Sequence, residues 1–253
     1  MLGTHRPKAV RLALPGLVDA ASGRLLTAPN LRWTSVRPYE LLASGGLDLD
    51  GVDVGLGNEA DYAALSVALA APGRLAERPS FLYVSGSVGV GSAFVFNGEV
   101  FSGRHGWAGE LGHVCVDPSG SICGCGAQAC LETIAGRGAI LAAAGRDDWD
   151  ALAADAAAPD AALGEVLGRV GRALGIALAG TLNLLDVSHV TLGGTLADLA
   201  PALIPTLVDE LNARVLSAPF DALTVETVAT AETGAALGAA YAGAQVILTD
   251  PAR

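Results

Sequence analysis

One histidine and three cysteines lie within eighteen residues of one another in the middle of this 253-residue chain: His113, Cys123, Cys125 and Cys130. Imidazole and thiolate are ligands that zinc binds readily, and four of them complete its tetrahedral shell. The Cys123-Gly-Cys125 turn can bring two thiolates to one ion, and Gly124 and Gly126 relieve the backbone strain of that turn. Because such a site has no open position, the spacing predicts a structural zinc ion that holds a loop.

The same cysteines could instead be free thiols or form disulfides, since their number alone does not specify a metal. Cys115 lies outside the spacing pattern, and we expect it to be an ordinary small buried residue. A histidine combined with C-x-C-x4-C is more specific than a cysteine count, and this combination favours zinc.

Two carboxylates, Glu110 and Glu132, bracket the four ligands. A carboxylate can accept charge-assisted hydrogen bonds from two vicinal hydroxyls, so these acids could bind a sugar. They could also be solvated loop acids or partners of the metal ligands, since most of the 26 acidic residues of the chain must lie at such places.

The motifs around these residues resemble those of the ROK family (repressors, open reading frames and sugar kinases). Glu110-Leu-Gly-His113 is similar to the E-x-G-H motif of that family, and Cys123 to Glu132 is similar to C-x-C-G-x-x-G-C-x-E, with Ala129 in place of a glycine. The resemblance covers nearly the whole chain, through further stretches that the family shares: PGLVD at 15–19, APNLRW at 28–33, VTLGGTL at 190–196 and GAALGAA at 234–240.

The resemblance implies an α/β fold of the two-lobed actin-like ATPase type (sugar kinase or hexokinase type), with a sugar held between the lobes. It implies that Glu110, His113 and Glu132 bind the sugar hydroxyls, together with Asn58 and Glu59. A histidine that binds zinc through one ring nitrogen can donate its other N–H to a sugar oxygen, so the metal would orient the ring.

The phosphate-binding half of the family pattern is missing or altered here. Kinases of the family begin with an Asp-x-Gly-Gly-Thr loop, whose backbone N–H groups hold phosphate, and this chain has no such motif. Its first residues resemble a later strand of the family, which implies an incomplete N-terminal lobe. In the stretch SGSVGVGSAFV (85–95), Val88 takes the place of a threonine, and we expect a tight turn between strands rather than a phosphate loop.

Glu59 occupies the position where kinases of the family use an aspartate as general base. The extra methylene moves the carboxylate by about an ångström, and misplacement of that order can lower a rate roughly a hundredfold. Asp61 is a poor substitute, because two steps along a helix turn its side chain away from Glu59. Asn58-Glu59-Ala60 followed by a helix resembles the sugar-responsive repressors of the xylose-repressor type.

The composition argues against direct DNA binding by these residues, because the net charge is −11 and there are only 15 Lys and Arg. We therefore expect DNA contact only through a segment that is not present in this chain. The first residues contain no apolar signal-peptide core, and every later apolar run is too short to cross a membrane, so we expect a cytoplasmic protein without membrane contact.

Short β-branched runs alternate with Ala-rich periodic stretches, a pattern typical of α/β layering. We expect a smaller lobe formed by residues 1–70 and completed by a C-terminal helix (240–253), and a larger lobe formed by 71–239. The missing first strands would leave a sheet edge open, and such an edge favours a homodimer or homo-oligomer.

The strands predicted from sequence are 10–14, 52–56, 81–84, 93–96, 100–101 and 187–192. The predicted helices begin after Asn58 and after Asp160, and two further helices span 201–215 and 234–248. We expect 143–159 to be a surface excursion.

Two functions remain open at this point. The first is a zinc-stabilised, sugar-binding effector domain of a ROK transcriptional regulator, without kinase activity; the second is an ATP-dependent sugar kinase, similar to glucokinase or fructokinase, with Glu59 as base. The regulator needs only a pocket and two states that bind the sugar differently, whereas the kinase also needs phosphate contacts. The regulator is therefore the preferred interpretation.

Overall fold

The computed structural model describes residues 7–228 and 233–250. Its strands are, in chain order, β1 (Ala9–Leu14), β2 (Leu17–Asp19), β3 (Arg24–Ala28), β4 (Trp33–Val36), β5 (Asp53–Asn58), β6 (Leu69–Ala71), β7 (Arg74–Leu75), β8 (Phe81–Gly86), β9 (Val90–Phe96), β10 (Glu99–Val100), β11 (His189–Gly193) and β12 (Thr224–Thr227). Its α-helices are α1 (Pro38–Ser44), α2 (Glu59–Ala68), α3 (Glu132–Ala135), α4 (Arg137–Ala144), α5 (Trp149–Asp155), α6 (Ala161–Leu185), α7 (Gly194–Asp198), α8 (Ala200–Arg214) and α9 (Gly234–Thr249). No helix of this described part is both long and apolar enough to cross a membrane.

The described residues form two compact units. The first unit contains 7–79, 94–108 and 233–250, and the second contains 80–93 and 109–228. The segment 94–108, which the sequence places in the larger lobe, packs within the first unit.

The first unit is built on the parallel pair β1 and β5, which runs in register from Ala9 opposite Asp53 to Leu14 opposite Asn58. Side chains alternate between the two faces of a strand. On one face, Leu12 and Leu14 pack against a buried cluster that includes Val18 and Leu25 of the antiparallel strands β2, β3 and β4. On the other face, β1 contacts α9, and α9 packs closely against α2.

The helix predicted after Asn58 is confirmed, and the reason is local. Asn58 ends β5, and its side-chain Oδ1 accepts a hydrogen bond of 2.7 Å from the Ala60 N–H. This N-cap satisfies one of the donors that a first helical turn leaves unpaired. Glu59 therefore becomes the first residue of α2, directly beyond the carboxyl ends of two parallel strands.

The second unit holds β8, β11 and β12, which pair in parallel, and the start of β9. The sheet order is β10-β9-β8-β11-β12, and β9 continues along the chain into the first unit. There, Asn97 and Gly98 join β9 to β10 with φ angles of 51° and 80°, the positive values that a type I′ hairpin requires at both central residues.

The long helix predicted from Asp160 is also confirmed. The Asp160 carboxylate accepts a hydrogen bond of 2.8 Å from the Leu163 N–H and caps α6. Apolar residues spaced three or four positions apart form a buried stripe on this helix: Leu163, Leu167, Val170, Leu174 and Leu178. Helix α8 packs beside α6 in the same unit.

The prediction of a surface excursion at 143–159 is wrong in its central part. This segment contains α5, in which Trp149 is 5% exposed and Leu152 is fully buried. The Trp149 indole Nε1 donates a hydrogen bond of 3.0 Å to the Asp198 carboxylate. The prediction failed because the segment is mostly alanine and aspartate, and its two large apolar side chains, three residues apart on one helical face, are a weak signal in sequence.

Candidate functional site

The second unit brings together the four residues predicted to bind a metal. The ligand atoms of His113, Cys123, Cys125 and Cys130 all lie within 4.8 Å of one another. Cys125 Sγ lies 3.8 Å from Cys130 Sγ, and Cys123 Sγ lies 3.9 Å from His113 Nδ1. Thiolates bound tetrahedrally at about 2.3 Å from zinc would be separated by about 3.8 Å, whereas a disulfide requires about 2.05 Å. The arrangement therefore fits a zinc ion, and all four cysteines of the chain are free thiols.

A tight loop positions the thiols. The Cys123 N–H donates to the Ala127 carbonyl at 2.7 Å, and the Gly126 N–H donates back to the Cys123 carbonyl at 2.9 Å. Gly126 has a φ of 92°, which explains the glycine after Cys125. The local turn thus holds Cys123 and Cys125 on one side of the cluster without help from distant residues.

The chemistry of the thiols also suits a cation. Burial, reinforced by the neighbouring Cys125 and Cys123 thiols, raises the pKa of Cys130 to about 12. Burial likewise raises the pKa of Cys123. A divalent cation would stabilise these groups as thiolates, and metal binding would release their protons.

Cys115 differs from the sequence expectation, because its side chain is exposed rather than buried. Its backbone is opposite Cys130 in an isolated antiparallel bridge, yet its thiol does not belong to the metal-binding cluster. The expectation was wrong because it rested on the average burial of cysteine, whereas only the Cys130 partner of this bridge is buried.

Two glycines allow the E-x-G-H segment to lie directly on β9. A Cβ atom on Gly112 would lie 2.3 Å from the Val90 carbonyl oxygen, and one on Gly109 would lie 2.4 Å from that of Ser92. Gly109 also has a φ of 95°. No other residue type fits at either position without moving the backbone, so the close approach fixes Glu110 and His113 relative to β9.

The His113 ring lies between the thiols and Glu110. Its Nδ1 atom faces Cys123, and its Nε2 atom lies 3.8 Å from Glu110 Oε2. The side chains of His113 and Glu110 are 30% and 37% exposed, so a small molecule can reach both. With a metal on Nδ1, the proton of the neutral ring must be on Nε2, which then acts as a hydrogen-bond donor beside a carboxylate.

Glu132 is held by a contact that could not be predicted from sequence. Its Oε2 atom accepts a hydrogen bond of 3.1 Å from the Val90 N–H, 42 residues away in the chain. It lies near enough to Glu110 to affect it: burial raises the pKa of Glu110, the charge of His113 opposes this rise and that of Glu132 adds to it. The second unit thus holds two carboxylates and an imidazole N–H side by side, a set that can accept from and donate to hydroxyl groups.

The first unit holds the other two predicted ligand-binding residues, Asn58 and Glu59. Besides capping α2, Asn58 donates a hydrogen bond of 3.0 Å from Nδ2 to the Gly16 carbonyl, so its amide mainly positions the chain. Glu59 lines a groove of about 760 Å³ beside β1, and burial raises its pKa. Asp61 lines a different cavity of about 710 Å³, which confirms that the two acids of α2 point apart.

Two glycine-rich stretches of the second unit are tight turns, and the first of them was predicted from sequence. Between β8 and β9 the Ser87 N–H donates to the Gly89 carbonyl at 2.9 Å, and Val88 is 71% exposed at the tip. Between β11 and α7, a Cβ atom on Gly194 would lie 2.0 Å from the Gly86 carbonyl oxygen, so this glycine permits close contact with β8. Both glycine patterns therefore have a structural explanation within the sheet.

Comparison with known proteins gives consistent matches along the chain. Residues 4–245 match the model of the ROK family. The transcriptional dual regulator NagC of Escherichia coli K12 is 30% identical over 227 residues, which cover 83% of this chain and 54% of NagC. A glucokinase of Halalkalibacterium halodurans is 28% identical over 240 residues, which cover 85% of this chain and 70% of that enzyme. The chain thus spans about half the length of the curated repressors that it matches.

Solved structures of ROK proteins also superimpose on this chain. A crystal structure described as a ROK family transcriptional regulator, homologous to the E. coli MLC protein, superimposes with a TM-score of 0.79 at 26% identity. The match covers 96% of this chain and 64% of that one. ROK sugar kinases match as well, among them a hexokinase from Thermus thermophilus at a TM-score of 0.77 and 27% identity, over 96% of this chain and 81% of that enzyme. The fold is therefore the α/β fold of the actin-like ATPase class, as predicted.

Proposed function

Since the chain belongs to the ROK family, we propose that it is the sugar-binding effector region of a ROK transcriptional regulator and does not phosphorylate the sugar. A structural zinc ion bound by His113, Cys123, Cys125 and Cys130 would hold the binding residues in place. The sugar hydroxyls would be bound by Glu110, His113 and Glu132, and the family resemblance extends the binding role to Asn58 and Glu59.

The observation that carries this proposal is the orientation of His113. Its Nδ1 atom faces the thiols while its Nε2 atom faces Glu110, so a metal and a sugar can use opposite edges of one ring. The accessible carboxylate and imidazole N–H offer the acceptor and donor that a sugar hydroxyl requires. Zinc would stabilise this arrangement without touching the sugar.

Two features support a sensor over a kinase. Glu59 replaces the expected aspartate base, and Val88 replaces a threonine in the second glycine-rich turn. Relatives at similar coverage include the N-acetylglucosamine repressor of E. coli O157:H7 and the xylose repressor of Bacillus subtilis. Residues that face a sugar are kept, whereas those that would face phosphate are changed.

A sugar kinase is the second candidate, and two observations favour it. The glucokinase of H. halodurans is matched over 85% of this chain. Glu59 lies just beyond the carboxyl ends of two parallel strands, where α/β enzymes place their reactive groups, and burial raises its pKa toward that of a general base.

DNA binding is proposed for the whole regulator rather than for these residues. With a net charge of −11, the chain lacks the clustered basic side chains that neutralise phosphates. A DNA-binding segment outside the 253 residues would therefore make that contact, and the sugar would act on it by favouring one of two states of the effector region.

A thermal-shift panel combined with a phosphorylation assay distinguishes the two candidates. Zinc-loaded protein is mixed with xylose, glucose or N-acetylglucosamine, and ADP formation is followed after ATP is added. We expect one sugar to raise the melting temperature, because ligand at a hundred times its dissociation constant adds about 2.7 kcal/mol, and we expect no ADP above a protein-free control. ADP that forms only when sugar is present would reject the sensor and support the kinase.

A further inference from the structure

The first unit contains a cavity that the proposed sugar site does not use. Its volume is about 710 Å³, and small-molecule sites usually measure about 300–1,000 Å³. Its described lining residues all belong to the first unit, and Glu110, His113 and Glu132 are not among them. Asn58 lines the cavity, but both polar atoms of its amide are already hydrogen-bonded, one to the backbone of α2 and the other to the Gly16 carbonyl. The cavity is therefore separate from the proposed sugar contacts.

Much of the cavity wall is apolar. The β6–β7 and β9–β10 hairpins are in contact here, since a Cβ atom on Gly98 would lie 2.1 Å from Leu75 Cδ2. Helices α2 and α9, which pack on each other, supply a further part of the wall. The apolar side chains that line the cavity are those of Leu56, Leu65, Leu69, Leu75, Val100 and Val246. An apolar group that binds among them is removed from water, which favours binding.

The charged side chains that line the cavity are acidic. They are Asp61 of α2 and Glu99 of β10, and no lysine, arginine or histidine is among the described lining residues. Burial raises the pKa of Tyr62, and the charge of Arg11 opposes this rise, so Arg11 lies nearby; its guanidinium is paired with Asp53. An anionic ligand would therefore meet like charge in the cavity, whereas a cation would meet opposite charge.

Asp61 is placed to bind such a cation. It is half-buried in the first turn of α2, and partial removal from water strengthens a charge pair. A carboxylate has two oxygens, so it can accept from an ammonium group while it keeps another contact. The cavity is also lined by two aromatic rings, those of Tyr62 and Tyr241, and the face of such a ring attracts a cation. The Tyr62 ring is held against β5, because a Cβ atom on Gly57 would lie 2.7 Å from one of its carbons.

Gln245 supplies an acceptor that lacks a donor. Its Oε1 atom is buried and has no hydrogen-bond partner among the described residues. It lies at the β6–β7 turn, where a Cβ atom on Gly73 would be 3.4 Å away. Gln245 is four residues from Tyr241 on α9, so the two side chains share a helical face. A buried acceptor without a donor is costly, and a ligand that donates an N–H to this amide would relieve that cost.

We propose that this cavity binds a small organic amine with an apolar or aromatic body. The ammonium group pairs with Asp61, the body lies among the leucine and valine side chains, and a second N–H on the body donates to Gln245. The amine is a second ligand of this chain, and its binding requires neither the zinc cluster nor the proposed sugar contacts.

Calorimetry with two indole compounds tests the charge preference. Tryptamine carries an ammonium group on an indole body, whereas indolepropanoate carries a carboxylate on the same body. With the zinc-loaded 253-residue protein, we expect tryptamine to bind at least about tenfold more tightly than indolepropanoate. Equal affinity of the two compounds, or no binding of tryptamine at millimolar concentration, would overturn this proposal and leave the proposed sugar binding untouched.

Charge variants of α2 locate the amine. Asp61→Asn keeps the shape of the side chain and removes its charge, so the affinity for tryptamine should fall about tenfold or more. Glu59→Gln makes the same change in the neighbouring acid, which lines the other groove, and it is the matched control for tryptamine binding. Unchanged affinity in Asp61→Asn, or a loss at least as large in Glu59→Gln, would place the amine outside this cavity and contradict the proposal.

A Gln245→Leu variant tests the second contact with opposite effects on stability and binding. Leucine is close to glutamine in size and removes the unpaired buried acceptor, so the melting temperature of the protein without amine should rise. The affinity for tryptamine should fall by about threefold or more, because its indole N–H loses an acceptor. Unchanged affinity would show that Gln245 does not bind the amine.

Discussion

Ala129 departs from the family motif at a position whose backbone conformation favours glycine. It takes the place of a glycine in the cysteine motif, and its φ of 66° lies in the left-handed region that glycine adopts without strain. The side chain is only 1% exposed, and its backbone hydrogen bonds to Ser121 and Val116 hold it in this conformation. A residue with a Cβ loses about 1–2 kcal/mol in such a conformation.

We therefore expect Ala129→Gly to stabilise the protein by up to about 1 kcal/mol, because relief of this strain exceeds the added flexibility of glycine in the unfolded chain. Thermal unfolding of the zinc-loaded protein measures this stabilisation, and we expect the melting temperature to rise by about 2–4 °C. A lower melting temperature would show that Ala129 is not strained in solution.

The cluster that could hold a metal could be predicted from sequence because the types and spacing of its residues carry the information locally. His113 and the three cysteines lie in one short segment, and a tight turn brings two of them together. The anchor of Glu132 could not be predicted, since the Val90 N–H that holds it belongs to a strand 42 residues away. The exposed thiol of Cys115 was missed for a related reason, because burial depends on contacts that residue type does not specify.

At the scale of elements, the loop between β10 and α3 has little regular structure of its own, and we propose that a zinc ion bound by its His–Cys cluster stabilises it. We expect one zinc ion per chain in purified protein. Cys123→Ser should lower zinc content to near zero and lower the melting temperature. Loss of a residue that only supports a ligand already lowers metal affinity about 10–100-fold, and loss of the ligand itself should lower it further. Elemental analysis and thermal unfolding provide the two readings.

Cys115→Ser is the control for that experiment, since its thiol is exposed and lies outside the cluster. It should leave zinc content and stability unchanged. Equal zinc content in the Cys123→Ser variant and the unchanged protein would reject the proposed metal site.

The packing of α9 on α2 depends on a single glycine. A Cβ atom on Gly238 would lie 1.7 Å from the Tyr62 carbonyl oxygen, an atom of the helix backbone that cannot move aside. We expect Gly238→Ala to destabilise the first unit by about 1–3 kcal/mol, measured by chemical denaturation.

Gly180→Ala makes the same chemical change in a helix where nothing lies within 4 Å of the added methyl. Because alanine favours a helix more than glycine does, this control should stabilise the protein by about 0.5–1 kcal/mol. Equal effects of the two substitutions would show that α9 does not pack on α2 as described.

Helices could be predicted from sequence where apolar residues recur at a regular helical spacing. Helix α6 repeats apolar residues every three or four positions and has an aspartate cap, so its start and buried face follow from sequence. Helix α5 was missed because its two buried side chains stand among alanines and aspartates. Strand order could not be derived from periodicity, since β11 pairs with β8 across more than a hundred residues.

At the scale of the whole molecule, the fold class followed from the family resemblance rather than from local pattern. The division into units depends on distant contacts: the segment 94–108 belongs with the first unit although the chain on either side of it belongs to the second. We propose that the whole molecule is a receptor, in which zinc orients His113 so that it and Glu110 bind a sugar.

Sugar binding by this receptor can be measured by isothermal calorimetry on the zinc-loaded protein and on its Glu110→Gln variant. The probe is whichever of xylose, glucose and N-acetylglucosamine most raises the melting temperature. Glutamine keeps the shape of Glu110 and spares the zinc ligands but loses a charged hydrogen bond, which contributes about 1.5–3 kcal/mol, so the dissociation constant should rise roughly 10–100-fold at unchanged zinc content. Equal affinity in the two proteins would contradict the account, as would the absence of binding of all three sugars to the unchanged protein.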